Sequence, residues 1–210
     1  PLPAGFPDQL RDAARRSLGR LGVEVREGAA VTPIDGRGVN LGDERLTAGT
    51  VIWAAGVAAS PIVATLGAPL DRAGRALVTP ELSIPGHPEV FVAGDAAAIV
   101  HQTGAPLPGV AQVAMQSAAH AAANILRLVE GQPQRPFTYH DKGSMAIIGR
   151  NSAIADFGRT QLSGMLAFLA CLFVHILMLI GFRNRLAVLL QWGLAYLTFQ
   201  RSVRLITNQP

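Results

Sequence analysis

Apolar and polar positions along the chain predict an α/β fold before any single residue suggests chemistry. From Asp8 to Leu21, apolar Leu10, Ala14, Leu18 and Leu21 share one helical face against an arginine-rich opposite face, and Gly22 ends the pattern. "VEVREGAAV" alternates as a strand does, and "VTPIDGRGVNLGDERL" predicts strands joined by glycine turns. "TVIWAAG" is almost wholly apolar and closes on a glycine, as a buried strand does. "PEVFVAGDAAA" repeats that form and ends in Gly94 and Asp95. Gly109 to Leu126 predicts an alanine-rich helix, with Pro108 near its first turn. "PFTYHDKGSMAIIGRNSAIADF" predicts two short strands around Gly149-Arg150-Asn151.

The C-terminal stretch differs in kind. Residues 164–182 are interrupted by one polar residue, His175, and residues 186–199 place Trp192 and Tyr196 one turn apart, with arginines bracketing both runs. A membrane-spanning helix needs about 20 apolar residues, so the first run sits at the threshold. Three readings stand: a spanning hairpin, helices lying in one leaflet with aromatic and arginine anchors, or a buried core.

Charge bears on that choice. Half the chain is hydrophobic and only 15% is charged, against roughly 25% in an ordinary soluble protein. The net charge is +4, yet all acidic residues lie at or before Asp156, and only Arg159, Arg183, Arg185, Arg201 and Arg204 follow. A basic, apolar tail fits an anionic lipid surface and not nucleic acid. Cys171 is the sole cysteine, which rules out an internal disulfide. With His175 it makes two potential ligands and no metal site. The chain opens on "PLPAGFPDQL", without methionine or signal segment, and reads as the interior of a longer chain.

Candidate chemistry begins with a rejection: "GRGVNLG" precedes a polar turn and not a helix, so it is a hairpin turn and not a phosphate loop. "VFVAGDAA" is more specific. Its strand delivers Asp95 to the carboxyl end, where ligands of open α/β sheets bind. Gly94 admits a cofactor backbone, and Asp95 can accept hydrogen bonds from sugar-type hydroxyls; a helix cap or turn is the structural alternative. On the alanine-rich helix, Gln112, Gln116 and His120 recur every four residues and share a face. Spacing alone leaves them as a solvent-facing stripe. Lys142 is the one lysine beside seventeen arginines, a compact ammonium able to exchange a proton, though composition alone also allows chance.

A strand ending in Gly-Asp after one ending "WAAG" resembles the C-terminal FAD-binding half of two-dinucleotide-fold flavoprotein reductases. Ala111-Gln112-Val113-Ala114-Met115-Gln116 matches the AQxAxQ pattern of type II NADH:quinone oxidoreductases, single-subunit respiratory enzymes that do not pump protons. "YHDKGSMAIIGR" and the C-terminal "FRNRLAVLLQWGLAYLTFQRSVRLIT" resemble the same family. The resemblance implies the C-terminal part of such a flavoprotein followed by membrane-associated helices. Residues 1–56 would be the tail of the NADH domain, 57–135 part of the FAD domain, 136–160 a strand-rich segment near the quinone, and 161–210 the anchor. Gly94, Asp95, Ala111, Gln112 and Val113 would meet FAD, with the helix N-terminus aimed at the flavin. Ala54, Ala55 and Gly56 would lie near the NADH–FAD junction, with Trp53 either facing it or in the core. Gln112, Gln116 and Lys142 would meet the quinone, while His120, His140 and His175 fall outside the motif.

The resemblance also implies non-covalent FAD, NADH as co-substrate, and a place on the cytoplasmic face of the cell membrane, with room for a homodimer. Both glycine-rich nucleotide loops would precede Pro1. The rivals are another quinone-linked flavoprotein reductase, whose chemistry wants a cysteine pair near the flavin, and a truncated, non-catalytic membrane module.

Overall fold

The computed structural model describes residues 5–179 and 181–198. Helix α1 (Asp8–Arg20) starts beneath the Pro7 carbonyl, which accepts N–H bonds from Leu10 and Arg11. Asp8 in its first turn and Arg20 in its last both suit the helix dipole. The alternating segment after it forms no strand, because no neighbour pairs with it. Its charged side chains make ion pairs instead, Arg26 with Glu24 and Glu44, and Arg15 with Glu27. Strands β1 (Val31–Asp35), β2 (Gly38–Leu41) and β3 (Glu44–Thr47) then make the expected small sheet, in that order.

The apolar run "TVIWAAG" departs from expectation. It is neither strand nor buried: Ile52 is 84% exposed and Trp53 65%. A fully apolar strand is buried only when strands flank it, and among the described residues none does. Trp53 is therefore no core residue here.

The chain divides into two units. In the central one, β4 (Ala76–Leu77), β5 (Ser83–Ile84), β6 (His87–Phe91) and β7 (Ala97–Ala98) are short; β4 pairs parallel with β7, and β5 antiparallel with β6. Helix α2 (Ala111–Val129) packs over them. Leu82, Ile99, Val113 and Phe137 are central to its core.

The other unit is built on an antiparallel sheet, β8 (Ser144–Gly149), β9 (Ser152–Asp156) and β10 (Gln161–Ser163), ordered β10-β9-β8. Asn151, at φ +63°, closes the β8–β9 turn foreseen around Gly149-Arg150-Asn151. Successive β9 residues face opposite sides. Ile154 packs on Leu10 and Ala14 of α1, while Ala153 and Ala155 pack on Ala167 and Cys171 of α3 (Gly164–Met178). Small side chains on both sides of that second contact let helix and sheet approach closely. Helix α4 (Phe182–Thr198) is held by the β8–β9 turn: the Arg150 guanidinium lies 4.3 Å over the Tyr196 ring, and the Tyr196 hydroxyl donates to Asn151 Oδ1 at 2.8 Å.

The expected apolar run 164–182 is broken at Leu179, whose ψ of 136° ends α3. Fifteen helical residues reach about 22 Å, short of the roughly 30 Å hydrocarbon core. Among the described residues no helix is long and apolar enough to cross a membrane. The C-terminal part of the run "LAVLLQWGLAYLTF" and all that follows, from residue 199, lies outside them.

Gly143 enters this sheet at φ +94°, and a Cβ there would stand 2.3 Å from the Asp156 carbonyl oxygen. Both the backbone conformation and the clash oppose any side chain. Gly143→Ala is expected to lower unfolding stability by about 2 kcal/mol or more, read as a lower denaturation midpoint with unchanged m-value. An unshifted midpoint would show that the strand edge gives way freely.

Candidate functional site

The five-residue connection from β6 to β7 organises the site. Val92 donates its N–H to the Leu82 carbonyl at 3.0 Å, and the chain then makes a single 3-10 turn, Gly94–Ala96, before β7. Gly94 has φ +65°, and a Cβ on it would sit 3.2 Å from the Ala114 Cβ, so only glycine lets the loop lie against α2. The Gly94 N–H donates to Ser117 Oγ at 3.0 Å, while that hydroxyl donates back to the Val113 carbonyl at 2.7 Å. Ser117 is fully buried. It thus ties the loop to α2, one and a half turns inside the helix.

Asp95, exposed at the turn, directs its carboxylate against Gly109: a Cβ on Gly109 would lie 3.3 Å from Asp95 Oδ1. The carboxylate therefore sits close to the N-terminal end of α2, where N–H groups lack helical acceptors. A cavity of about 180 Å³ opens here, lined by Val57, Arg75, Gly94, Asp95, Gly109 and Val113 among others. Arg75 is fixed at its wall by Asp71, with Nε to Oδ2 at 2.7 Å, and donates to the Leu107 carbonyl at 3.3 Å. Burial pushes the Asp71 carboxyl up. Hydrogen bonds from the Arg75 N–H and guanidinium and from the Ala73 N–H outweigh that and hold it below the usual carboxylate range.

The polar row on α2 has a definite job. Residues 135–142 run outside any strand, so their peptide groups need other partners. Gln116 accepts the His140 N–H at 3.1 Å and donates to the His140 carbonyl at 3.0 Å. Gln112 accepts the Lys142 N–H at 3.1 Å, and its amide nitrogen approaches Asp141 Oδ1 at 3.4 Å. Asn124, buried, accepts the Arg135 N–H at 3.0 Å and donates to the carbonyls of Arg135 and Glu81 at 2.9 and 3.0 Å. His120 Nε2 lies 2.8 Å from the Arg135 carbonyl, and its ring meets Phe137 edge-on at 5.4 Å. From the other side, Gln102 exchanges two hydrogen bonds with the Tyr139 backbone, and His101 reaches the Phe137 carbonyl. Burial, reinforced by Asp141, pushes the Tyr139 phenol above its usual range, so it stays a donor at neutral pH.

Of the residues singled out in the sequence, Gly94, Asp95 and Val113 share the cavity, and Ala111 begins the helix beside it. Gln112, Gln116 and the exposed Lys142 meet through the backbone of residues 140–142. Ala54, Ala55 and Gly56 lie exposed outside the cavity, which their neighbour Val57 lines. His120 is part of the α2 row and no bystander, and Asn124 extends it. The interval of four that selected Gln112, Gln116 and His120 continues to Asn124 and was the signal for it. Nothing in the sequence marked Ser117. His175 Nδ1 bonds the Cys171 carbonyl within α3, and among the described residues no cluster could hold a metal.

Comparison with known proteins now adds to this geometry. A profile of the pyridine nucleotide-disulphide oxidoreductases matches residues 1–121, and one of the NDH2 C-terminal domain matches residues 141–204. The chain is 40% identical over 93% of its length to the type II NADH:quinone oxidoreductase NdhA of Mycobacterium tuberculosis, of which it covers 44%. It is 41% identical over 99% of its length to Ndh of the same organism, covering 46%. The demethylphylloquinone reductase NdbB of Synechocystis is 28% identical over 89% of the chain, which covers 47% of it. The chain thus spans about half the length of these relatives. In fold it resembles NDH2 from Plasmodium falciparum solved with NADH, at a TM-score of 0.81 and 15% identity, over 95% of this chain and 56% of that one.

The Asp71–Arg75 pair yields a pH prediction. A carboxyl whose folded pKa is depressed stabilises the fold above its unfolded pKa of about 3.9, and that stability is lost as pH falls through the folded value. Arg75→Met should cost about 1–2 kcal/mol at pH 7 and flatten the loss of stability between about pH 5 and 2. Denaturant midpoints across that range measure both; parallel pH curves would remove the pair from the account.

Proposed function

The chain belongs to the pyridine nucleotide-disulphide oxidoreductases, within the type II NADH:quinone oxidoreductase family, and from that premise we propose that it is the quinone-facing portion of a membrane-associated enzyme. The enzyme would carry electrons from NADH through FAD to a membrane quinone without pumping protons. The observation that carries this is the first turn of α2, which is shared by the Asp95 cavity and by the row that holds Lys142.

The residues around Asp95 fit part of a flavin dinucleotide. Gly109 keeps a Cβ away from the carboxylate, and Gly94 lets the loop that carries it lie against α2, so its oxygens can take hydrogen bonds from cofactor hydroxyls. Arg75, in the same cavity wall, offers a cation suited to a pyrophosphate. When bound, FAD supplies the two-electron link between hydride donor and quinone. The N-terminal N–H groups of α2 favour negative charge beside them. Ala54, Ala55 and Gly56 belong to the side on which NADH approaches.

Reducing a quinone takes two electrons and two protons. Lys142 Nζ passes both protons in turn to the quinone oxygens and is reprotonated each time from the solvent to which it is exposed. Gln116 uses one N–H and one oxygen lone pair to hold His140, and a primary amide has two of each. The second N–H then orients the quinone carbonyl, with Gln112 closing the site next to Lys142.

Helices α3 and α4 rest on the anionic cytoplasmic face of the membrane in this reading. Leu166, Leu169, Phe173 and Leu177 recur along α3 and are exposed. Arginines surround the helices and acids are absent after Asp156. Both features suit a helix lying in the interface.

Two measurements on the full-length protein test the reading. Asp95→Ala should weaken flavin retention by about tenfold or more, whereas full flavin content would remove Asp95 from the cofactor site. Lys142→Ala should lower quinone-dependent kcat by about tenfold or more with flavin content intact; unchanged turnover would refute its role. For the membrane, Leu166→Ser with Leu177→Ser should cut binding to phosphatidylglycerol vesicles by more than tenfold, each buried leucine contributing about 2 kcal/mol. Binding equal to the parent protein would exclude the α3 stripe.

A further inference from the structure

The α2 row extends past the residues that the quinone reading uses, and its far end does a separate task. Gln112, Gln116, His120 and Asn124 stand at intervals of four, and each reaches the backbone of residues 135–142. A side-chain amide presents one N–H and one C=O much as a peptide group does, so Gln116 and Asn124 each exchange a reciprocal pair of bonds with one residue of that segment. They act as a neighbouring strand would. Together with Gln102 and His101 on the other side, the row sets the register of a segment that no strand supports.

His120 completes the far anchor in one tautomer. The two N–H groups of Asn124 Nδ2 go to the carbonyls of Glu81 and Arg135. Its 3.2 Å approach to His120 Nε2 is therefore not a third donation. His120 Nε2 carries its own hydrogen and gives it to the Arg135 carbonyl, 2.8 Å away. Three hydrogen bonds thus converge on the Arg135 peptide groups, seven residues before Lys142 and away from the Asp95 cavity.

We infer that His120 and Asn124 are positioning residues of the proposed quinone site: by clamping Arg135 they set the register in which residues 140–142 meet Gln116 and Gln112, and so where the Lys142 side chain starts. The inference rests on the quinone reading of Lys142. With Arg135 released, the segment would be held only at Phe137, Tyr139 and residues 140–142, and Lys142 would be presented over a wider range of positions. That weakens productive quinone binding and leaves flavin binding untouched, because neither residue lines the Asp95 cavity.

The test uses the full-length, flavin-loaded enzyme with His120→Ala, Asn124→Ala and the conservative His120→Gln, whose amide N–H can replace the ring N–H. His120→Ala keeps the experiment decisive should the buried Asn124→Ala fail to fold. The first readout is hydrogen–deuterium exchange of the peptide covering 135–142. The second is steady-state kinetics with a quinone and, separately, with a water-soluble one-electron acceptor. His120→Ala should speed exchange of that peptide severalfold and raise the quinone KM about fivefold, the effect of one lost hydrogen bond. Flavin content and turnover with the soluble acceptor should stay at the parental level, and His120→Gln should restore both readouts. Unchanged exchange would overturn the clamp. Faster exchange with parental quinone kinetics, while Lys142→Ala is defective, would overturn the positioning role. If Lys142→Ala is itself silent with quinone, the underlying reading fails and not the clamp.

Discussion

A chain away from any sheet must find other partners for its peptide groups, and here they come from the side chains of α2 on one side and of His101 and Gln102 on the other. Only Phe137 and Tyr139 are buried in residues 135–142, and their peptide groups, which would each cost about 1–3 kcal/mol if left unpaired, bond Pro80, His101 and Gln102. The row from Gln112 to Asn124 holds the backbone of Arg135, His140 and Lys142. That one constraint explains the otherwise bland helix. Alanines let it approach its neighbours, and the four polar positions carry the bonding. It also explains why Gln102 and His101 lie opposite, taking the peptide groups that α2 cannot reach.

The same helix is pinned at its start by a different device. The Ser117 hydroxyl accepts from Gly94 and donates to Val113, so loop and helix move together. Two glycines then allow a carboxylate to sit where a helix begins. One helix thus serves two surfaces: its first turn faces the Asp95 cavity, and its polar edge carries the segment that ends at Lys142. A shift of α2 along its axis would disturb both at once.

Much of this was legible in the sequence, and the exceptions have physical causes. The amphipathic α1, the β8–β9 turn and α2 follow from periodicity and glycine placement, because each is decided by residues close in the chain. "TVIWAAG" misled because an apolar run states only that burial would be favourable, not that a neighbour is present. The run 164–182 left spanning, in-leaflet and buried readings open, because hydropathy does not register the break at Leu179. Gly94 and Asp95 were singled out because a strand ending in Gly-Asp is a local signature. Ser117 was not, since one serine among alanines carries no pattern and its partner lies 23 residues earlier. The glutamine row was visible by spacing, but its partner segment was not. The bonds it makes span 11 to 30 residues of chain.

The uncovered run around Ile52 and Trp53 also bears on how this chain behaves in bulk. It presents exposed apolar side chains on a backbone segment whose peptide groups have no strand beside them. Such a segment is adhesive, since it offers apolar contact on a backbone that lies outside any strand. Its sequence, free of proline and charge from Val51 to Ser60, has nothing to deter pairing with the same segment of another molecule. With the exposed apolar face of α3, these residues give the chain an adhesive surface that its net charge opposes.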